Sequence, residues 1–181
     1  VLVDDQDPGT EPHLLVFLQH AVKDGTGNSV SERMQFIRIG KDGSIEHGGS
    51  APYLDLRPLM DSEKEIANRL LAEPWLNGDF EPRILGFAAA SLVPEHFEEV
   101  RTQREDQIDR TIAQVRERLT REIAYWDHRA EELRLDERAG RINTKINSAK
   151  AEARRDELLA RLEKRERELT LQRQFAPLPP R

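Results

Sequence analysis

The chain has 181 residues, of which 28 are basic and 34 acidic, for a net charge of −6, and it contains no cysteine. The absence of cysteine excludes a disulfide scaffold, a thiolate metal site and a cysteine nucleophile, and it is typical of a reducing compartment. At 37% hydrophobic and 34% charged residues, the composition is less apolar than globular averages, which favours a small core attached to a long solvated helical structure.

The two halves of the chain differ in composition. Residues 1–94 hold 8 basic and 15 acidic side chains and nine of the ten glycines, whereas residues 95–181 hold 20 basic and 19 acidic side chains. We therefore predict a small α+β domain over 1–94, a helical arm over 95–174 and a proline-rich linker over 175–181. The first and last residues, Val1 and the PLPPR string, lead us to expect a piece of a longer polypeptide.

The first predicted elements are β-strands. Residues 13–22 form an apolar run of strand length, and residues 33–39 carry side chains that alternate between two faces. The Asp-Gly pair at 42–43 predicts a tight turn into a third strand around Ile45. We expect an antiparallel meander of three strands.

Two helices are predicted to follow the meander. Asp61 or Ser62 is the expected N-cap of the first helix, and Pro74 ends it. Residues 83–92 are apolar on nearly every side, so a buried helix is expected there. The expected apolar stripe of the first helix consists of Ile66, Leu70 and Leu71.

Apolar residues recur at intervals of three and four across the second half, which is the spacing of one helix face. The first stripe, from Phe97 to Leu133, extends for about 40 residues or roughly 60 Å. Gly140 interrupts the pattern, and a second stripe runs from Ile146 to Leu169. Helices joined by a short connection lie antiparallel. The predicted fold class is α+β: a small antiparallel β-meander with helices, followed by a long antiparallel α-helical (coiled-coil) hairpin.

The sequence lacks the common catalytic motifs. It has no glycine-rich phosphate loop, no dinucleotide-binding turn and no Gly-x-Ser-x-Gly elbow. The histidines show no metal-ligand spacing, and we expect them to lie at the surface or at helix caps. We therefore predict no catalytic residue, no cofactor and no metal in this chain. No apolar run approaches the length of a membrane span and no signal peptide leads the chain, so no membrane partner is expected.

A basic cluster marks the predicted tip of the hairpin. The segment 138–155 contains six cations and a single acid, Glu152. Basic side chains beside a helix N-terminus suit phosphate groups, although a solvated turn without a ligand has the same composition. The candidate nucleic-acid-binding residues are Arg138, Arg141, Lys145, Lys150, Arg154 and Arg155.

Two other features have both a structural and a functional interpretation. Trp126 falls on the apolar stripe, where seam packing is expected, while Tyr125 and His128 lie off the stripe and are available to another domain. The tail 175–181 has three prolines in four positions, which favours an extended polyproline II segment. A stiff linker is the expected role of this tail, and a PxxP ligand is the alternative.

Several strings resemble one region of large bacterial helicase-like proteins, C-terminal to the two-lobed motor of Swi/Snf-type members of helicase superfamily two. The strings YWDHRAEEL (125–133) and NSAKAEARRDEL (147–158) are the most specific of them. The resemblance covers most of residues 12–180. The other strings that carry it are APYLDLRPL (51–59), LVPEHFEEVR (92–101) and QRQFAPLPP (172–180).

The resemblance implies a bacterial, cytoplasmic parent that hydrolyses ATP with Mg and translocates on or remodels duplex nucleic acid. Because no motor motif falls on this chain, it implies an accessory, spacer-like role beside the motor, with the parent's own motor domains and duplex DNA as partners. The alternative is a protein–protein interaction or dimerisation arm without nucleic-acid contact. The unequal lengths of the helices favour the latter, because they leave the stripe from Val100 to Ile112 for a second subunit.

Overall fold

The computed structural model describes residues 1–6, 11–141 and 146–181. The fold is mixed α+β, with an antiparallel sheet, one long helix and a second helix. The chain divides into two compact units. The first consists of Val1–Lys23, Ser29–Val100 and Ala176–Arg181, and the second of Asp24–Asn28 and Arg101–Phe175.

Antiparallel strands form the framework of the first unit. A four-stranded sheet has the order β4-β3-β2-β6, so its first three strands are a meander, as predicted. Strands β1 and β5 form a separate two-stranded pair. The strands are β1 (Leu2–Val3), β2 (His13–Lys23), β3 (Ser29–Gly40), β4 (Ile45–Gly49), β5 (Arg57–Pro58) and β6 (Ala176–Pro177).

The alternation of side chains along β2 and β3 builds the core. Leu18 on β2 and Ile37 and Ile39 on β3 point to the same face and are buried. The turn between β3 and β4 has Gly43 at φ +85°, a conformation that glycine adopts without steric cost. The core is completed by Ile84, Ala88 and Leu92.

The helix predicted over 83–92 begins as α2 (Glu81–Phe87) and continues through a π-helical turn, Ala88–Leu92. Its buried residues recur every four positions, while Gly86 is exposed. The helix is therefore confirmed, but it buries one face rather than its whole surface. The residues that follow, Val93–Arg138, form α3, and all three segments make one helix of 58 residues.

The start of helix α1 (Lys64–Leu71) differs from the prediction. Neither Asp61 nor Ser62 caps it, because a 3-10 turn, Asp61–Glu63, precedes the helix. The carboxylate of Glu63 instead accepts a hydrogen bond from the backbone N–H of Met60 at 2.8 Å and binds Arg57. The expected apolar stripe is also wrong, since Ile66 and Leu71 are more than half exposed and Ala67 is the buried residue.

Residues 176–181 are bonded to the sheet, where the sequence predicts a stiff proline-rich linker over 175–181. Strand β6 pairs with the end of β2, and Leu178 N–H donates to Ala21 O at 2.7 Å. Gln19 and Arg181 exchange two further backbone hydrogen bonds. The backbone N–H groups that donate to β2 are those of Leu178 and Arg181. Pro179 and Pro180 lie between them, at positions where no N–H is needed. Proline is tolerated in this way on edge strands.

The second unit contains most of α3 and all of α4 (Ser148–Gln172). Trp126 packs against Ala130, Leu133 and Ala151, which confirms its predicted place in an apolar seam. Ion pairs join α3 to α4, and residues later in α3 bind residues earlier in α4. The two helices therefore run in opposite directions. These pairs are Asp109 with Arg173, Arg116 with Glu166, Asp127 with Arg155 and Arg134 with Glu152.

The stripe between Val100 and Ile112 does not present the exposed surface that the dimer prediction requires. Val100 and Ile108 are both buried within the chain. The prediction that this stretch is left open is therefore wrong for Val100 and Ile108, while Ile112 is half-buried. The shorter α4 does not leave it bare, because Asp109 of α3 is already joined to Arg173, just beyond the end of α4.

Candidate functional site

The described part of the predicted tip is held by caps at both helix ends. Gly140 has φ +75° just after α3 ends. Asn147 caps α4, its side-chain oxygen accepting from the N–H of Lys150 at 2.9 Å. Ser148 donates through its backbone N–H and its hydroxyl to the carboxylate of Glu137, at 2.8 and 2.7 Å. These bonds lower the pKa of Glu137 and join the two helix ends.

Most of the predicted tip cations that can be placed have acidic partners. A charge count over 138–155 does not include these partners, because they lie before or after that segment. An arginine already held by a carboxylate must give up that ion pair, or share it, to bind a phosphate. The pairs are Arg141 with Asp136, Arg154 with Glu157, and Arg155 with both Asp127 and Asp156.

The other three predicted cations divide into two groups. Lys145 lies outside the described residues. The side chains of Arg138 and Lys150 are exposed. The described part of the chain contains no ion pair of either one. The predicted tip therefore retains two uncompensated cations among its described residues, rather than the larger excess that the sequence indicates.

A second group of cations, which the sequence pattern does not single out, lines a groove between α3 and α4. We call it the basic groove. Its volume is about 310 Å³. Val115 and Leu119 supply apolar contacts to it, and Glu168 is its one acidic residue. Its cations are Arg118 of α3 and Arg161, Lys164 and Arg165 of α4.

The first unit contains a buried pair of histidines. His20 lies on the inner face of β2, and His96 lies in the first turn of α3. Their side chains are only 2% and 0% exposed. The rings meet edge to face, with centroids 4.8 Å apart. The prediction of surface or capping histidines is therefore wrong for these two residues.

Hydrogen bonds connect the two imidazoles to polar residues on β3. His20 Nε2 lies 3.3 Å from Gln35 Oε1, the two Nδ1 atoms are 3.2 Å apart, and His96 Nε2 lies 2.8 Å from Ser31 Oγ. The amide oxygen of Gln35 only accepts, so His20 carries its proton on Nε2. His96 Nδ1–H then donates to His20, and the Ser31 hydroxyl donates to His96. Every contact is satisfied with both rings neutral.

Electrostatics keep this pair uncharged. Burial, followed by the nearby charge of Arg33, lowers the pKa of His96 to about 4. Burial is also the main cause that lowers the pKa of His20. Arg33 itself is paired with Glu99 at 2.5 Å, and this bond lowers the pKa of the Glu99 carboxyl. Both imidazoles are therefore neutral at pH 7.

The contact between Ser31 and His96 has the geometry of a nucleophile and its base, but the environment does not suit that chemistry. A base with a pKa near 4 accepts a proton weakly at neutral pH. His20, which follows His96 in the network, is held by the neutral amide of Gln35 rather than by a carboxylate that would stabilise an imidazolium. A fully satisfied buried network of this kind fixes how the first turn of α3 packs on the sheet.

The outer face of the sheet carries exposed aromatic side chains. Phe17 and Phe36 are register partners with ring centroids 5.3 Å apart, and Tyr53 lies 5.5 Å from Phe36. Phe17, Met34 and Tyr53 are 50%, 58% and 48% exposed. We call these four residues the aromatic face. Grouped exposed apolar side chains are a mark of interaction surfaces.

Comparison with known proteins gives no family for this chain: no family model matches it, and neither does any curated protein or solved structure. Within residues 1–6, 11–141 and 146–181, no helix combines the length and apolar character that a bilayer crossing requires. The same residues contain no cluster of three or more histidine or carboxylate side chains suited to a metal ion.

Proposed function

We propose that this chain is a non-catalytic accessory module of an ATP-dependent helicase or translocase of the Swi/Snf type. In this proposal α3 and α4 form an antiparallel coiled-coil hairpin, an arm that positions duplex nucleic acid or couples the motor to its neighbouring domains. The observation that supports the arm is the series of four ion pairs that join the two helices in opposite directions, while the helicase context is supported by the resemblance of the sequence. Long antiparallel helices with an apolar seam are a common form of projecting arm.

The accessory role is supported by the sequence. The strings at 125–133 and 147–158 resemble the region beside a superfamily two motor, and the motor's own motifs do not occur in these residues. ATP and Mg would thus be bound by the motor of the parent protein, to which the first unit docks. The cysteine-free composition and the bacterial resemblance also support a cytoplasmic location.

Nucleic-acid contact is tested directly with this chain. A fluorescently labelled DNA duplex is titrated at salt concentrations from about 50 mM to about 200 mM. We expect binding that weakens steeply with salt, because phosphate contacts release counterions. Titration of an RNA duplex of the same sequence tells which nucleic acid is preferred. No binding to either duplex at the lowest salt concentration would refute the proposal that the arm positions nucleic acid.

A second candidate function is protein–protein interaction, and the aromatic face is the observation that favours it. The occupant we propose is a second copy of this chain. Arg38 and Glu46 are register partners on exposed positions of β3 and β4 beside Phe36. Their opposite charges add no net charge beside Phe36, so under a two-fold axis the aromatic side chains of two copies can pack together without repulsion from this pair.

Sedimentation equilibrium over a range of protein concentrations tests this second candidate. We expect a dimer that the Phe17→Ser/Met34→Ser double variant disrupts. Ile66→Ser is the matched control, because Ile66 is also exposed but belongs to α1 rather than to the sheet. A monomer at all concentrations would contradict homodimerisation. A dimer that both sets of substitutions leave intact would place the interface elsewhere.

A further inference from the structure

We propose that the basic groove, rather than the predicted tip, is the principal site at which this chain binds nucleic-acid phosphates. This inference rests on the proposed function for its ligand, but it assigns the contact to a different set of residues. Two observations support it. The two helices bring four cations together in one groove, and only two of these four cations already have an acidic partner.

Helical spacing places the cations side by side. The residues of α4 that line the groove are spaced at intervals of three, one and three, so they share one helix face. They are Arg161, Lys164, Arg165 and Glu168. Arg118 reaches the same groove from α3. The arrangement belongs to the second unit alone, because both helix segments lie within 101–175.

The charges of the groove are only partly compensated. Arg118 bonds Glu122 at 3.1 Å, and Arg165 bonds Glu168 at 3.0 Å. In the described part of the chain, neither Arg161 nor Lys164 has an ion pair. Both are exposed. Two cations are thus available without breaking an existing contact. The tip has two such cations as well, Arg138 and Lys150, but they lie on different helices, whereas Arg161 and Lys164 lie one helical turn apart beside Arg118 and Arg165.

The chemistry of these side chains suits a phosphate. The guanidinium of Arg161 offers a planar pair of donors to two phosphate oxygens, and the ammonium of Lys164 adds a point charge. Val115 and Leu119 line the same groove and supply its apolar contacts. The groove contains no aromatic side chain. Its contacts would therefore be to the sugar-phosphate backbone and independent of sequence.

The test compares three double variants in the duplex titration described above. Arg161→Ala/Lys164→Ala removes the two unpaired groove cations. Arg110→Ala/Arg121→Ala is the matched control, since it removes the same charge from exposed positions of α3 outside the groove. The tip variant is Arg138→Ala/Lys150→Ala, which removes the two cations of the tip that have no ion pair in the described part of the chain. We expect the groove variant to bind about tenfold more weakly and to reduce the salt slope by about two, with a much smaller effect in the other two variants.

Each outcome decides between the proposals. If the unmodified chain binds no duplex, the proposed function fails. If it binds and the groove variant equals the control, the inference fails while the function stands, and a loss in the tip variant would return the site to the tip. Arg161→Gln/Lys164→Gln, which keeps most of each side chain, tests the same charges if the alanine variant does not fold by circular dichroism.

The source of the phosphate is also tested. Titration calorimetry with inorganic phosphate at constant ionic strength measures binding of the free anion. If the chain binds no duplex, but binds inorganic phosphate with a heat that the groove variant loses, the groove is a small-anion site. That result would overturn the assignment to nucleic acid. Duplex binding that depends on the groove cations and resists competition by inorganic phosphate would support it.

Discussion

Acidification should destabilise the first unit through the buried pair of His20 and His96. The perturbation is a fall in pH from above 6.5 to about 4.5, combined with the substitution His96→Gln. In the folded chain His96 is buried and neutral, and its pKa is lowered to about 4 from an ordinary value of 6.5. The unfolded chain exposes the same imidazole to water. The two states therefore bind different numbers of protons between these two pKa values.

The sign and magnitude follow from this difference. Between pH 6.5 and pH 4 the unfolded chain binds a proton that the folded chain does not, so the free energy of unfolding rises with pH in this window. The contribution is fully present above pH 6.5 and is lost as the pH falls towards 4. At about 1.4 kcal/mol per pKa unit, the lowered pKa of His96 corresponds to roughly 3 kcal/mol. The lowered pKa of His20 acts in the same direction.

The assay is urea unfolding at several pH values, followed by tryptophan fluorescence. Trp75 lies in the first unit and Trp126 in the second, so a Trp126→Phe background makes the signal specific to the first unit. Carboxylates contribute at lower pH. Arg57 and the Met60 N–H lower the pKa of Glu63 from 4.5 to about 2, so its stabilising contribution is lost only as the pH falls through that range. Other carboxyls with a lowered pKa, such as Glu73 and Glu99, also begin to lose their contribution near pH 4.5, so the effect of the histidines is read from the difference between variants.

The variants provide the decisive comparison. His96→Gln should flatten the dependence of unfolding free energy on pH between 6.5 and 4.5, even if it lowers stability at pH 7 by leaving neighbouring polar groups unpaired. His128→Gln is the control, because His128 is exposed, and it should keep the slope of the unmodified chain. Equal slopes in the unmodified chain and in His96→Gln would refute the reasoning.

Three further predictions concern stability and are measured by urea unfolding. Leu158→Ala should cost about 2–5 kcal/mol because Leu158 is 1% exposed, whereas Leu159→Ala should cost much less because Leu159 is 40% exposed. Gly43→Ala should destabilise by about 1–2 kcal/mol at its positive φ, whereas Gly86→Ala, in a helix with open space around it, should stabilise by about 0.5–1 kcal/mol. Asn147→Ala should cost about 1 kcal/mol by removing the cap of α4. Equal effects within either matched pair, or no effect of Asn147→Ala, would contradict these assignments.

The elements that the sequence predicts are those determined by local pattern. The alternation along β2 and β3 and the Asp-Gly turn at 42–43 depend on residues close together in the chain, and the structure confirms them. The three-and-four spacing likewise predicts α3 and α4. The start of α1 is not predicted correctly because it depends on Arg57, which binds the carboxylate of Glu63. Arg57 also binds Asp5, which is distant in the sequence.

The candidate sites were less accessible from sequence, because they depend on contacts between distant residues. The tip cations look free until α3 and α4 are paired, since Asp127 meets Arg155 only then. The two buried histidines had a usable signal. His20 lies between Leu18 and Val22 at every second residue, and His96 lies four residues from Leu92 and from Val100, so each falls on an apolar face. What the pattern cannot show is that the two faces meet.

The pairing of β6 with β2 has a consequence for how this protein is made. Strand β2 emerges from the ribosome before both long helices, and its partner Ala176–Pro177 follows only after they have been translated. At about 5–20 residues per second, that interval lasts roughly ten to thirty seconds. Throughout it, the backbone of β2 between Gln19 and Lys23 lacks the hydrogen bonds that β6 and Arg181 later supply. An open strand edge is a template for association with other chains, so the nascent chain exposes such an edge during this interval.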